Sequence, residues 1–166
     1  MSFTAEQAKL IASTSLADFE NETAATKRVI GAIPAGKESY TPDPKSMTAI
    51  DLAWHLASTE PFFLHAAADG KFTGGENKRP DHIRSAQDVL AWYESNLPAA
   101  LARAKGASGE QLAQMVDFFG VMQLPAAAIP GFMVRHSVHH RGQLSAYLRP
   151  MGAKVPSIYG PSADTK

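Results

Sequence analysis

Histidines are concentrated in the segment RHSVHHRGQLSAYLRP, residues 135–150. Three of the six histidines in the 166-residue chain, His136, His139 and His140, lie within five positions of this segment. Neutral imidazole is a common ligand of divalent metal ions, and it can also transfer protons near neutral pH. The first question is which of these three side chains share one face of a helix.

Helical periodicity separates the three histidines. Successive residues of an α-helix are about 100° apart, so His140 lies about 40° from His136, and His139 lies about 60° to the other side. The stripe that holds His136 and His140 also holds Ile129, Met133, Gln143 and Tyr147. Because most of these neighbours are apolar, the stripe is predicted to face the core. The opposite side, with Arg135, Gly142 and Arg149, is predicted to face solvent.

Two core-facing imidazoles one turn apart can converge on a single metal ion. Two hydrogen-bonded histidines without a metal would give the same pattern, and the spacing alone leaves both readings open. A third candidate ligand, His55, lies within AIDLAWHLASTEPFF, and its same-face neighbours indicate that it also points inward. His65 is about 80° off that face, and His82 lies in a polar loop, so neither is expected to be a ligand.

Two polar residues are candidates for hydrogen bonds to these imidazoles. Gln143 is one turn beyond His140, and Glu60 is five residues after His55. Their ordinary alternatives are a polar packing residue for Gln143 and a solvated charge for Glu60. Asp51 is explained by helix capping, and Arg141, off the histidine ridge, is expected to form a salt bridge. No residue is assigned a catalytic role, and no organic cofactor site is predicted.

Composition narrows the functional classes. Lysine plus arginine equals aspartate plus glutamate, 16 each, so the chain has no basic surplus with which to bind nucleic acid. Cysteine is absent, which leaves imidazole and carboxylate as metal ligands. No apolar run approaches the ~20 residues of a membrane helix, and no secretory signal is evident. We therefore expect one domain over residues 1–166, located in the cytoplasm, without membrane or nucleic-acid partners.

Apolar periodicity predicts four helices, at about residues 4–33, 48–69, 86–106 and 125–150. Thr48 with Asp51 and Ser85 should cap the second and third helices, and Pro61 should kink or locally unwind the second. Residues 110–124 are ambiguous, since residues 110–116 could form a short helix and VDFFGVMQL could be extended, and the region is interpreted as a crossover. The aromatic pair Phe118-Phe119 could line a pocket or, as we favour, anchor this crossover. The predicted fold class is all-α, a four-helix bundle with long crossover connections.

The segments DLAWHLASTEPFF and HSVHHRGQLSAYLRPMGAKVPSIYGPSAD resemble the DinB-like (damage-inducible) superfamily of small bacterial four-helix bundles. Members commonly hold a divalent metal with a helix-two histidine and the two histidines of H-x-x-x-H-R-G-Q. The resemblance implies that His55, His136 and His140 are metal ligands. The superfamily includes bacillithiol and other thiol S-transferases, a mycothiol-dependent maleylpyruvate isomerase and members without known activity, and no feature of this chain selects one branch.

The leading functional hypothesis is a metal-dependent enzyme that acts on a small molecule, either a transferase of a low-molecular-weight thiol or a related hydrolase. The alternative is a non-enzymatic metal-binding or dimerising bundle with a vestigial site. Imidazole ligands do not distinguish zinc, nickel, iron and manganese. Apolar residues beside the main stripe of the first helix, such as Ile11 and Val29, favour a homodimer.

Overall fold

Helices dominate the computed structural model, which describes residues 3–74 and 78–165. In chain order the elements are α1 (Ala5–Gly31), α2 (Ala49–Asp69), α3 (Ala86–Gly106), the short α4 (Gly109–Ala113), β1 (Met115–Phe118), β2 (Met122–Pro125), a 3-10 turn (Ala126–Ala128) and α5 (Ile129–Leu148). The long helices α1, α2, α3 and α5 match the four predicted helices. The predicted all-α helical-bundle class is confirmed.

Local sequence signals set the ends of α2 and α3. The backbone N–H of Asp51 donates to Thr48 Oγ1 at 3.2 Å, and the Thr48 hydroxyl donates to Asp51 Oδ2 at 2.5 Å. At α3 the N–H of Asp88 donates to Ser85 Oγ at 3.1 Å, and the N–H of Ser85 donates to Asp88 Oδ2 at 2.9 Å. Gly70 follows α2 with a φ of 65°, a conformation that glycine adopts readily after a helix. The predicted caps are therefore confirmed.

Pro61 lies inside α2 without interrupting it. The segment is helical from Ala49 to Asp69, so local unwinding does not occur, and the alternative of a kink stays a prediction. Proline removes one backbone donor, but Glu60, Phe63 and Leu64 beside it are all buried. Packing on both sides of Pro61 thus outweighs its intrinsic preference against a helix interior.

The crossover contains the short α4 and a β-hairpin, at the positions where the sequence allowed a short helix and extended chain. β1 and β2 pair antiparallel, from Met115 opposite Pro125 to Phe118 opposite Met122. The turn closes through a bond of 2.9 Å from Val121 N–H to the Phe118 carbonyl. Its central residues, Phe119 and Gly120, both have positive φ, 52° and 73°.

Phe119 is unusual in this turn because it carries a bulky side chain in a left-handed backbone conformation. That conformation costs about 1–2 kcal/mol for a residue other than glycine. The ring stacks on Phe62, with centroids 6.4 Å apart, and lies 5.8 Å from Phe72. Phe118 also joins this aromatic cluster, 4.7 Å from Phe72. These contacts favour the anchoring interpretation of the aromatic pair.

The chain forms two compact units, each assembled from three stretches of sequence. The first unit comprises Met1–Asn21, Thr59–Glu76 and Asn96–His136, and the second comprises Glu22–Ser58, Asn77–Ser95 and Ser137–Lys166. The organisation of residues 1–166 as one domain stays a prediction.

Small residues bring the helices of the first unit close together. One buried cluster consists of Ala8, Ala12, Ala107, Leu112 and Ala127. At Gly109 a Cβ atom would lie 2.4 Å from the carbonyl oxygen of Ala5, so only glycine permits this approach. Ile11 packs partly buried against the cluster.

The second unit buries aromatic side chains and one charged network. The rings of Trp54 and Trp92 lie 4.7 Å apart, and those of Tyr40 and Tyr147 lie 5.7 Å apart. Val29 is fully buried in this unit. The burial of Val29 removes part of the apolar helix surface on which the homodimer prediction depended, and that prediction remains open.

Arg141 forms the predicted salt bridge, and it does so in the interior. Its side chain is 1% exposed, and Nη2 pairs with Glu22 Oε2. Nη2 also donates to the Tyr159 hydroxyl at 2.6 Å, and that hydroxyl donates to Glu22 Oε2 at 2.9 Å. This network ties the C-terminal tail to α1 and α5 within the second unit.

Candidate metal centre

His55 and His140 face each other from α2 and α5. Their Nε2 atoms are 3.2 Å apart, and the two rings meet edge to face with centroids 4.5 Å apart. Both side chains are half-buried. The inward orientation expected from helical periodicity therefore holds for both residues.

His136, one helical turn before His140 on α5, completes a triad. One ligand nitrogen from each of His55, His136 and His140 can be chosen so that all three lie within 4.8 Å of one another. The His136 ring also packs against Phe63, with centroids 5.4 Å apart. The structure thus brings together the three histidines singled out from the sequence.

The other three histidines are not members of this triad. His139 is exposed, although its ring is 4.8 Å from that of His140. His65 Nδ1 lies 3.4 Å from Arg103 Nη1, and His82 is exposed in the loop before α3. These positions agree with their exclusion as ligands on angular and loop placement.

Gln143 contacts the triad directly. Its side-chain oxygen Oε1 lies 2.7 Å from His140 Nδ1. An amide oxygen can only accept, so Nδ1 must carry the proton in this contact. The lone pair of neutral His140 is then on Nε2, the atom that faces His55. Gln143 is itself exposed, so this contact, rather than burial, relates it to the site.

The electrostatic surroundings favour neutral imidazoles. Burial, together with the positive charge of His140, lowers the pKa of His55 from 6.5 to about 4. Burial also lowers the pKa of His140, against the opposing effect of the hydrogen bond to Gln143 and with a contribution from His139. Neutral imidazole is the form that binds metal ions, so both shifts act in the direction of ligation.

The two carboxylates near His55 along α2 differ in their surroundings. Glu60 is fully buried, which rules out the solvated-charge alternative, while its role beside the histidines stays a prediction. Asp51 caps α2 and accepts a hydrogen bond of 2.7 Å from Arg79 Nε. Burial alone would raise the pKa of Asp51, but Thr48 and Arg79 together hold it below its ordinary value.

A cavity of about 460 Å³ opens beside His55 in the second unit. Its wall is formed by Met47, Asp51, Trp54, His55, Lys78, Arg79 and Asp81. Lys78 and Arg79 could not be predicted as wall residues from the sequence, because they lie in the polar loop before α3, where no periodicity indicates which way a side chain points. A small molecule in this cavity would lie against one member of the triad.

These features define a class: a helical bundle that carries a half-buried histidine triad. A model of the DinB family matches residues 1–165, and the chain belongs to this family, as its motifs predicted. It is similar to the uncharacterized protein YrdA of Bacillus subtilis (strain 168), at 25% identity over 150 residues that cover 90% of this chain and 88% of YrdA.

A second relative links the sequence to a solved fold. YjoA of Bacillus subtilis (strain 168), also described as uncharacterized, is 25% identical over 116 residues, which are 69% of this chain and 73% of YjoA. The crystal structure of YjoA, a DinB-like protein, matches with a TM-score of 0.69 and 22% identity over 92% of this chain and 99% of that one. No helix in residues 3–74 or 78–165 is both long and apolar enough to cross a membrane.

Proposed function

We propose that this protein binds a divalent metal ion through His55, His136 and His140. The observation that carries the proposal is the convergence of three ligand nitrogens within 4.8 Å. Two nitrogen ligands at about 2.0–2.1 Å from a tetrahedral ion are about 3.3 Å apart. The Nε2 atoms of His55 and His140, at 3.2 Å, have nearly that spacing. The donor set therefore fits a divalent ion.

Three neutral ligands fit a reactive site better than a structural one. Structural zinc sites are closed by four protein ligands, whereas three leave a position for a small molecule. A metal ion bound here would supply Lewis acidity, which lowers the pKa of a water or thiol ligand. Gln143 holds the proton on His140 Nδ1, and the cavity beside His55 admits a small molecule.

The reaction we propose is transfer of a low-molecular-weight thiol to an electrophile, or a related hydrolysis. The chain has no cysteine, so the thiol would come from solution. In the transfer, the thiol sulfur forms a bond to an electrophilic carbon, a leaving group departs, and the thiol proton passes to solvent. The resemblance to a superfamily that includes thiol S-transferases supports this choice.

A non-enzymatic, metal-binding or dimerising bundle is the second candidate. The same triad with no turnover would fit a vestigial site, and exposed Leu10 and Met115, at 69% and 48%, leave apolar surface for a partner copy. Metal content alone does not separate the two candidates, whereas turnover does.

Elemental analysis of protein purified without a histidine tag tests the metal site. We expect about one divalent ion per chain, lost in His136→Ala and in His140→Ala. His139→Ala is the matched control, because it removes an exposed imidazole from the same helix. Retention of metal in both triad variants, or its loss in the control, would contradict the assignment.

Turnover with cysteine as the thiol and 1-chloro-2,4-dinitrobenzene as the electrophile tests the reaction. Sulfur replaces chloride on the ring, and chloride release gives the rate. We expect the rate to follow metal content and to fall to the uncatalysed value in His140→Ala. A metal-loaded protein that shows no turnover with these or other small thiols and electrophiles would favour the non-enzymatic candidate.

A further inference from the structure

The cavity beside His55 contains side-chain groups that the metal site does not use. Arg79, in the loop before α3, and Trp54, on α2 between Asp51 and His55, both line it. Their donors and the neighbouring acceptors indicate which chemical class of ligand the cavity fits.

Arg79 is held in place with part of its guanidinium uncommitted. Its Nε donates to Asp51 Oδ1 at 2.7 Å, and its Nη1 donates to the carbonyl oxygen of Ile83. Its Nη2 has no hydrogen-bond partner within residues 3–74 and 78–165. A planar guanidinium fixed by two contacts is preorganised to bind an anion through the remaining N–H groups.

Trp54 lines the cavity but offers no donor to it. The residue is 5% exposed, and its indole Nε1 is buried with no hydrogen-bond partner in the described part of the chain. Solvent does not reach Nε1, whereas the Arg79 side chain is 26% exposed, so Arg79 supplies the donor for a ligand in the cavity.

The acceptor closest to Arg79 is already satisfied. Asp51 uses Oδ1 for Arg79 and Oδ2 for the Thr48 hydroxyl. Lys78 and Asp81, also in the wall, carry opposite charges, and both are exposed to solvent, which screens them. The two carboxylates of the wall offset its two cationic side chains in charge, so the preference for a hydrogen-bond acceptor rests on the uncommitted Nη2 of Arg79.

We propose that this cavity binds the carboxylate of a small molecule, with Arg79 as the residue that determines specificity. As a statement about the substrate, this inference rests on the proposed function, because it names the substrate class of the same site. Asp51, which accepts a hydrogen bond from Arg79, precedes His55 by one helical turn, a rise of about 6 Å. A carboxylate at Arg79 would therefore leave the rest of a three- or four-carbon molecule beside the triad.

Succinate and its uncharged diamide are the probes that test this inference. The chain has two tryptophans, Trp54 in the wall and Trp92 beside it, so their fluorescence reports occupation of the cavity. We expect succinate, and not succinamide, to change the fluorescence saturably at physiological salt. Arg79→Gln should weaken succinate binding about 10- to 100-fold, the effect of losing hydrogen bonds from a charged group.

Two further variants keep the test specific. Arg84→Gln is the matched control, because Arg84 lies in the same loop outside this cavity and its side chain donates to the Asp81 carbonyl. Its binding should equal that of the wild type. Arg79→Lys keeps the charge without the planar fork, and should bind between wild type and Arg79→Gln. If Arg79→Gln fails to fold, the lysine variant decides the test.

The outcomes separate this inference from the metal proposal when metal content is measured on the same samples. Succinate binding that depends on Arg79 in protein without metal would contradict the metal proposal alone. Metal-loaded protein that binds succinate and succinamide equally, or that binds succinate equally in Arg79→Gln, would overturn the carboxylate site alone.

Discussion

Replacing His55 with glutamine tests how the surroundings of His55 make the free energy of unfolding of the metal-free protein depend on pH. Burial and the charge of His140 lower the pKa of His55 from 6.5 to about 4. The unfolded chain therefore binds more protons in this window, and the free energy of unfolding falls as the pH is lowered through it. This stabilising contribution is fully present above pH 6.5 and lost by about pH 4.

The size of the effect follows from the shift. Lowering the pKa of a fully buried group by this amount would change the free energy of unfolding by about 3.4 kcal/mol. His55 is only half-buried, and solvent screening reduces the expected contribution to about 1–2 kcal/mol. Between pH 7.5 and pH 4.5 the wild type should therefore lose about that much more stability than His55→Gln.

Urea unfolding followed by circular dichroism, with chelator present, measures this difference at each pH. Groups that titrate alike in both proteins cancel in the comparison. His82→Gln is the control, because it removes an exposed loop histidine and leaves the facing imidazoles intact. Parallel stability curves for wild type and His55→Gln would refute the reasoning.

Three further predictions follow from the contacts around the triad and from the overall charge. Gln143→Leu should weaken metal affinity about 10- to 100-fold by releasing His140, and competition with a chromophoric chelator measures it; unchanged affinity would contradict the orienting role. Arg141→Ala should lower the free energy of unfolding by about 1–3 kcal/mol, because it removes a buried cation from the partly exposed Glu22, which keeps its hydrogen bond from Tyr159; urea titration measures it, and an unchanged free energy would contradict a contribution from this pair. Random duplex DNA should not bind measurably at physiological salt, since 16 basic residues balance 16 acidic ones; salt-dependent micromolar binding in a mobility-shift assay would contradict this.

The long helices could be predicted because their signals are local. Thr48 with Asp51 and Ser85 with Asp88 are capping pairs that act within one turn. The hairpin at residues 115–125 could not be predicted with the same ease. Its turn holds Phe119 in a conformation that favours asparagine or glycine, and packing against Phe62, outside the hairpin, accompanies it.

The residues of the candidate site also differ in whether their positions could be predicted from the sequence. The inward positions of His55 and His140 follow from helical periodicity, which needs no knowledge of distant residues. The full burial of Arg141 does not, because its partner Glu22 is 119 positions away along the chain. Arg79 is a similar case, since a polar loop gives no indication of which side chain will turn toward α2.

At Phe119 two contributions to stability oppose each other, the strain of the left-handed backbone and the packing of the aromatic ring. A glycine or asparagine there would relieve about 1–2 kcal/mol of backbone strain, yet it would remove the ring that stacks on Phe62 and contacts Phe72. A saturation library at this single position should therefore separate the two effects. Enrichment of small residues would show that turn closure limits the stability of this region, and enrichment of aromatic residues would show that the aromatic cluster does.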